Sequence, residues 1–255
     1  MKTFQEAVLR AGLANPELPL VHSTSLINFR EIVKQNIITA TKCPVFKEDL
    51  LYLFYGKPSY RIASSSGART DISYCPICFI LKSSAFKSVK RIFPFDSGAF
   101  QDGLYSSHIP AEITLNKFLL QTDKKIPAKV VKLFFGNNMS YFLGDASNLL
   151  AIGTMDFEIR YYHELISSTG ASCTDDRKSS IEIQIDQNVT LNKDTVYAVV
   201  LPTSSLQDPD VLSAINKTWQ TIPITYNTFK STAPIEYHGV IREKVINFLS
   251  DQKLL

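Results

Sequence analysis

The sequence predicts an α+β fold with largely antiparallel sheets. Seven short runs rich in β-branched or aromatic residues are spread along the chain, and each is typical of a strand. Helical patterns lie between these runs without regular alternation and cluster in the middle of the chain, which disfavours a doubly wound parallel sheet. With 255 residues, 45% hydrophobic and 20% charged, the chain can bury a sizeable core.

The predicted strands are bounded by turn-forming or polar residues and are too short for typical helices. In chain order they are LPLVHS, LLYLFYG, CFILK, RIFPF, SIEIQI, VYAVVLP and TIPITYN.

The first predicted helix follows the first strand directly, in SLINFREIVKQN. Its apolar residues recur at helical spacing on one face, Ser25 is placed to cap its start, and Asn36 suits the left-handed turn that ends a helix. Further helices are predicted near residues 111–121, 127–135, 155–166, 209–218 and 239–250.

The composition limits the partners and the location that we expect for the protein. The net charge of +3 is too small to require a nucleic-acid partner. The N-terminal stretch lacks the continuous apolar segment of a signal peptide, so we expect no signal peptide. No later stretch approaches 18 consecutive apolar residues, so we expect no membrane partner. Four cysteines in a chain of this length predict a reducing, cytoplasmic location. We see no linker and expect one domain over residues 1–255.

No metal site is predicted. Cys75 and Cys78 form one CxxC pair, and no second pair follows at the spacing of a structural zinc site, which needs four ligands.

The first candidate site motif is His22-Ser23-Thr24, at the end of the first strand. Alternation along a strand puts His22 and Thr24 on one face and Ser23 on the other. An imidazole beside a hydroxyl can hydrogen-bond a ribose diol or a carboxamide. The alternative is a histidine that only satisfies a backbone carbonyl at a strand end.

The second motif is LYLFYGKPSYR, residues 51–61. Tyr52 and Tyr60 offer flat rings to a planar ligand, and Gly56 marks a sharp turn. Lys57 and Arg61 are candidates for phosphate contacts, Arg61 as the bidentate donor. The alternative is a core strand with an aromatic face followed by an ordinary turn.

The third motif is SIEIQID, residues 180–186. Its isoleucines alternate with Glu182, Gln184 and Asp186, which is typical of a half-buried strand with a solvated polar face. The short carboxylate and amide pair, Glu182 and Gln184, is the feature that suggests a site.

In this order the three motifs resemble the ADP-ribosyltransferase superfamily, in particular its His-Tyr-Glu branch, and loosely the DarT-type toxins that modify DNA. Residues 28–38 look like the family's helix ending, with Asn36 in place of the usual glycine. The resemblance covers about two thirds of the chain. It implies an α+β fold of split antiparallel β-sheets with surrounding helices.

The resemblance also implies NAD as substrate. Glu182, His22 and Tyr60 would be the catalytic residues, with Glu182 stabilising the positive charge that develops on the ribose. His22, Ser23, Thr24, Tyr52, Tyr55, Lys57 and Arg61 would bind NAD. Tyr52, Tyr55 and Tyr60 all remain candidates for the nicotinamide-stacking ring. Glu182-x-Gln184 departs from the Glu-x-Glu of the arginine-modifying branch and does not favour arginine as target.

The expected activity is transfer of ADP-ribose from NAD to a macromolecule, protein or nucleic acid, as in a toxin or antiviral defence effector that has a neutralising partner protein. The alternatives are an NAD glycohydrolase of the same fold, an RNA 2′-phosphotransferase, and a non-catalytic module that binds a nucleotide or nucleic acid. The phosphotransferase would need more clustered basic residues than this chain shows.

Overall fold

Ten strands and eight α-helices make up the regular structure of the part of the chain described by the computed structural model, residues 2–59, 72–148, 151–169 and 176–255. The strands are β1 (Leu20–Ser25), β2 (Ile37–Ile38), β3 (Thr41–Lys42), β4 (Asp49–Tyr55), β5 (Pro76–Leu81), β6 (Arg91–Phe93), β7 (Glu182–Ile185), β8 (Val189–Thr190), β9 (Val196–Pro202) and β10 (Ile222–Tyr226). The helices are α1 (Phe4–Arg10), α2 (Leu26–Gln35), α3 (Ser97–Gln101), α4 (Ile126–Phe134), α5 (Asn138–Leu143), α6 (Phe157–Ser167), α7 (Pro209–Ser213) and α8 (Tyr237–Asp251).

The main sheet has the order β10-β9-β5-β1-β4-β7-β6, and β3 pairs with β4 at its side. Its neighbouring strands are antiparallel except for β9 and β10, which run parallel. Strands β2 and β8 form a separate antiparallel pair. The α+β prediction is therefore confirmed, as a mixed sheet with helices around it.

Each of the seven predicted strand runs overlaps a strand of the main sheet, because β-branched and aromatic residues fit a pleated, buried surface. The prediction of a helix over residues 111–121 is wrong. That stretch holds one short 3-10 helix, Leu115–Phe118, preceded by turns around Pro110. Three helices were missed, and all three are short: α1, α3 and α5.

Helix α2 begins and ends as predicted at Ser25 and Asn36, although the Ser25 side chain makes no capping hydrogen bond. Asn36 adopts the left-handed conformation with φ 54°. This helix follows β1 without a loop, so it fixes the direction in which the end of β1 points. The buried apolar residues form one continuous cluster that includes Phe4 of α1, Phe79 of β5 and Leu249 of α8.

Candidate functional site

Strands β1 and β4 separate part-way along their length. They pair at Leu20 with Tyr55 and at Val21 with Phe54, and the pairing ends there. On its other side, β1 pairs with β5 over its full length, to Ser25 opposite Pro76. The separation leaves a cavity of about 440 Å³ between β1, β4 and α2, here called the split cavity. His22, Ser23, Thr24 and Tyr52 all line it.

His22 is half-buried at the wall of the split cavity, and its Nδ1 lies 3.0 Å from the backbone carbonyl oxygen of Tyr52. A carbonyl only accepts, so Nδ1 carries the hydrogen and Nε2 is left as an acceptor. Burial lowers the pKa of His22, and the Tyr52 carbonyl opposes this in part. The ring is therefore neutral at pH 7, and Nε2 can accept a hydrogen bond from a ligand hydroxyl.

Ser23 and Thr24 both line the split cavity, although strand alternation predicts that their side chains point to opposite faces of β1. Ser23 is opposite Cys78 of β5, and burial raises the pKa of Cys78 to about 12. The Thr24 hydroxyl accepts a long hydrogen bond, 3.4 Å, from Asn28 Nδ2 in the first turn of α2. Both hydroxyls are therefore at the cavity that His22 lines.

The two tyrosines of β4 have different surroundings. Tyr52 is half-buried at the split cavity, and its hydroxyl lies 2.8 Å from the Cys43 thiol. Tyr55 does not line this cavity. Its hydroxyl accepts from the backbone N–H of Leu18 at 3.0 Å, and burial raises its pKa. Tyr55 is therefore a core residue, and it lies outside the split cavity.

Glu182 is nearly inaccessible, with 1% of its surface exposed, and it does not line the split cavity. Its carboxylate accepts hydrogen bonds from the Ser97 hydroxyl at 2.7 Å, the Ser97 backbone N–H at 3.1 Å and Gln184 Nε2 at 2.7 Å. Its Cα partner in β4 is Phe54, which does line the cavity. The carboxylate therefore belongs to β7, the strand next to β4, and β4 forms part of the cavity wall.

Glu182 and Gln184 do not face solvent, so the prediction of a solvated polar face is wrong for both. Strands β4 and β6 flank β7, and Ser97 of α3 closes over the carboxylate. Arg91 Nη1 donates to Gln184 Oε1 at 3.3 Å, which orients the amide so that its Nε2 points to Glu182. Asp96 supplies the cap of α3, and Ser97 is the main partner of Glu182.

Lys57 is not at the split cavity. It is buried beyond the end of β4, where its Nζ donates to Ser179 Oγ at 2.7 Å, and it lines a second cavity. Tyr60 and Arg61, the remaining predicted site residues, lie outside the described residues. Of the predicted site, the structure thus brings together His22, Ser23, Thr24 and Tyr52.

No family model, no curated protein and no solved structure matches this chain. The functional argument therefore rests on the residues and their geometry.

Two basic residues at the start of β6, Lys90 just before the strand and Arg91 in it, are paired with acids. Arg91 Nη2 binds Glu48 Oε1 at 2.6 Å, and Lys90 binds Glu48 and also Asp186, the latter at 3.4 Å. These pairs reduce the positive charge that Lys90 and Arg91 offer to nucleic acid.

Within the described ranges, no group of three or more histidine, cysteine or acidic side chains could hold a metal ion. Cys75 and Cys78 are both buried, and Cys78 lies in β5 opposite Ser23. No helix in the same ranges combines the length and apolarity that crossing a membrane requires.

Proposed function

We propose that the protein is an NAD-dependent ADP-ribosyltransferase whose nucleotide site is the split cavity. One observation carries the proposal: His22, Thr24 and Tyr52, from two strands that separate, line a single cavity of about 440 Å³. That volume lies within the roughly 300–1,000 Å³ of small-molecule sites. The three side chains are the acceptor, the hydroxyl and the aromatic ring expected for a ribose, an amide and a planar base.

In the proposed reaction, the bond between nicotinamide and ribose breaks and positive charge develops on the sugar, as in glycoside hydrolysis. A carboxylate near the ribose stabilises that charge and can accept the proton of the attacking group. Glu182 is the proposed carboxylate, since its neighbour Phe54 forms part of the cavity wall. Transfer requires the Glu182 carboxylate to exchange its Ser97 contacts for the ligand. The proposed acceptor is a protein or nucleic acid, as in a toxin or defence effector.

A second candidate function is nucleotide binding without transfer. The burial of Glu182 favours it, because the described contacts hold the carboxylate inside the sheet and away from the cavity. The two candidates share the binding site and differ only in the role of Glu182.

Glu182→Gln separates them. The amide keeps the size of the side chain and an oxygen for Ser97, so we expect NAD affinity to stay within about twofold while nicotinamide release falls by roughly 10²–10³-fold. Nicotinamide release and NAD affinity are measured on the wild type, on Glu182→Gln and on the matched control Glu112→Gln, an exposed glutamate.

The outcomes are distinct. Wild-type release by Glu182→Gln removes Glu182 from the reaction. NAD binding by the wild type without nicotinamide release supports the second candidate. Failure of NAD to bind to the wild type, or unchanged NAD affinity in His22→Ala, overturns both. With release established, labelled NAD and cell extract, followed by separate protease and nuclease digestion, identify the acceptor.

A further inference from the structure

A second cavity, of about 700 Å³, lies at the end of the sheet where β4 finishes and β7 begins. It is called the lysine cavity here, and Lys57, His163, Asp176, Lys178, Ser179 and Arg242 are among its lining residues. No described residue lines both this cavity and the split cavity.

Lys57 is the feature of this cavity that needs an explanation. Its side chain has no exposed surface, and its ammonium group has three hydrogens to donate. Ser179 Oγ accepts one of them at 2.7 Å, and the Tyr141 ring lies 5.7 Å from Nζ. Among the described residues no carboxylate oxygen is within ion-pair distance of Lys57. A buried charge without a paired counter-ion is destabilising, so an anion in the cavity would be bound favourably.

Two more donors face the same cavity from different helices. His163 of α6 has a buried Nε2 without a hydrogen-bond partner among the described residues. Arg242 of α8 binds Asp176 Oδ2 at 3.3 Å and the Phe142 carbonyl, which leaves part of its five N–H groups for a ligand.

The charges around the cavity favour an anion. Lys57, Lys178 and Arg242 face two carboxylates, Asp145 and Asp176. The Asp176 carboxylate also lies 3.3 Å from His238 Nε2, so it is already engaged by two partners of α8.

We propose that the lysine cavity binds the phosphate group of a small molecule, with Lys57, His163 and Arg242 as its donors. A phosphate carries up to two negative charges and three or more oxygens that point in different directions, which matches donors from three separate elements. A carboxylate has two oxygens in one plane and fits this arrangement less well. The inference does not depend on NAD binding in the split cavity.

The affinity should fall as the pH rises above about 8. Burial lowers the pKa of Lys57 to about 8, with Asp176 raising it and Arg242 and Lys178 lowering it. The other titratable groups of the cavity region are Asp145, His163 and His238. At pH 7 the ammonium is charged and can bind a phosphate, whereas at pH 9 most of it is neutral.

The test is calorimetric titration and thermal unfolding with inorganic phosphate and with ribose 5-phosphate. Ribose and acetate at the same ionic strength serve as uncharged and carboxylate controls. We expect both phosphates to raise the unfolding temperature in proportion to their concentration over Kd, and both controls to leave it unchanged. Binding of inorganic phosphate alone supports the site with the free anion as ligand. Equal binding of acetate overturns the phosphate assignment.

Lys57→Met keeps the length of the side chain and removes the charge. We expect it to weaken phosphate affinity at least tenfold and to fold at least as well as the wild type without ligand, because an unpaired buried charge is gone. Lys230→Met, at an exposed lysine, is the matched control and should bind like the wild type. Should Lys57→Met not fold, Arg242→Gln provides the same test with the same expected loss.

Two results would overturn the proposal: no binding by the wild type up to about 10 mM phosphate, ten times a millimolar Kd, or unchanged affinity in Lys57→Met. His22→Ala should leave phosphate binding intact, so failure of the NAD proposal and failure of this one are distinguishable.

Discussion

Asn36 shows how one residue serves both a backbone and a side-chain requirement. It ends α2 with φ 54°, a conformation that glycine adopts more readily, and its backbone N–H donates to Ile32. Its side-chain oxygen accepts a 2.7 Å hydrogen bond from the indole N–H of Trp219, which is fully buried. Glycine could make the turn but would leave the indole without this acceptor.

Asn36→Gly should therefore destabilise the protein by about 1 kcal/mol. Loss of the acceptor for a buried donor costs roughly 1–3 kcal/mol, and relief of the left-handed backbone offsets about 1 kcal/mol of it. The free energy of unfolding in urea measures the change. Gln220→Gly is the matched control, since Gln220 has φ 48° and its side chain makes one exposed hydrogen bond of 3.4 Å to the residues that the structure describes. If both variants change the free energy of unfolding by the same amount relative to the wild type, the role given to the Asn36 side chain is contradicted.

Most residue-scale expectations at β1 follow from alternation alone. The sequence predicts His22 and Thr24 on one face because strand period is a local property, and the structure places both at the split cavity, together with Ser23. Alternation also separates Tyr52 from Tyr55, which are three residues apart. Which of the two tyrosines lies at a cavity depends on where the pairing of β1 with β4 ends. That position is not determined by any single residue.

At the scale of elements, β7 is the strand whose environment was misjudged. Its alternation is that of a half-buried strand, yet both faces are buried. The reason is its position between β4 and β6, together with Ser97 of α3 above Glu182. These neighbours come from residues 85 or more positions away in the chain, so the local pattern carries no information about them.

The turn at the end of β4 brings the backbone of Gly56 close to the side chain of Leu18. Gly56 has φ +64°, and its N–H donates to the Pro19 carbonyl at 2.8 Å. A Cβ built on Gly56 would lie 2.7 Å from Leu18 Cδ1. This turn directs the chain from the strand to Lys57 and the lysine cavity.

Gly56→Ala should destabilise the protein by about 2–4 kcal/mol, the sum of left-handed strain and overpacking against Leu18. Gly103→Ala is the matched control: Gly103 has φ +75°, but nothing lies within 4 Å of a Cβ built there, so only the backbone cost of about 1–2 kcal/mol is expected. Urea unfolding compares the two variants. If both lose the same free energy, the contact with Leu18 is not what requires glycine.

At the scale of the whole molecule, Asp176 connects the sheet to the C-terminal helix. It lies six positions before β7, in the 3-10 helix Asp176–Ser179, and its carboxylate contacts His238 and Arg242 of α8. Helix α8 in turn packs against β5, β9 and β10. The cluster thus couples the two ends of the main sheet through one carboxylate.

This coupling predicts a pH dependence of stability. Burial alone would raise the pKa of Asp176, but His238, Lys57 and Arg242 lower it from 3.8 to about 2. A carboxylate with a lowered pKa contributes stability above its unfolded-state value and loses that contribution as the pH falls through its folded-state value. The contribution, about 2 kcal/mol at neutral pH, should therefore disappear as the pH falls from about 4 to 2.

Asp176→Asn isolates this effect. We expect the variant to be less stable than the wild type at pH 7, with a difference that narrows between pH 4 and pH 2, as measured by urea unfolding at each pH. Asp251→Asn changes an exposed aspartate at the last position of α8, and its free energy of unfolding should match that of the wild type at every pH. A difference for Asp176→Asn that stays constant with pH would show that the ionised carboxylate is not responsible.

The sequence by itself determined the strand runs, the limits of α2 and the α+β class, because each follows from the spacing of apolar residues within a few positions. It also proposed His22, Thr24 and Tyr52 as one site. Only the tertiary structure decided that β1 and β4 part to form a cavity there, that Glu182 lies buried beside Phe54, and that Lys57 meets Ser179 from 122 positions away. Those contacts depend on which strands become neighbours, and strand order is settled by packing of the whole core.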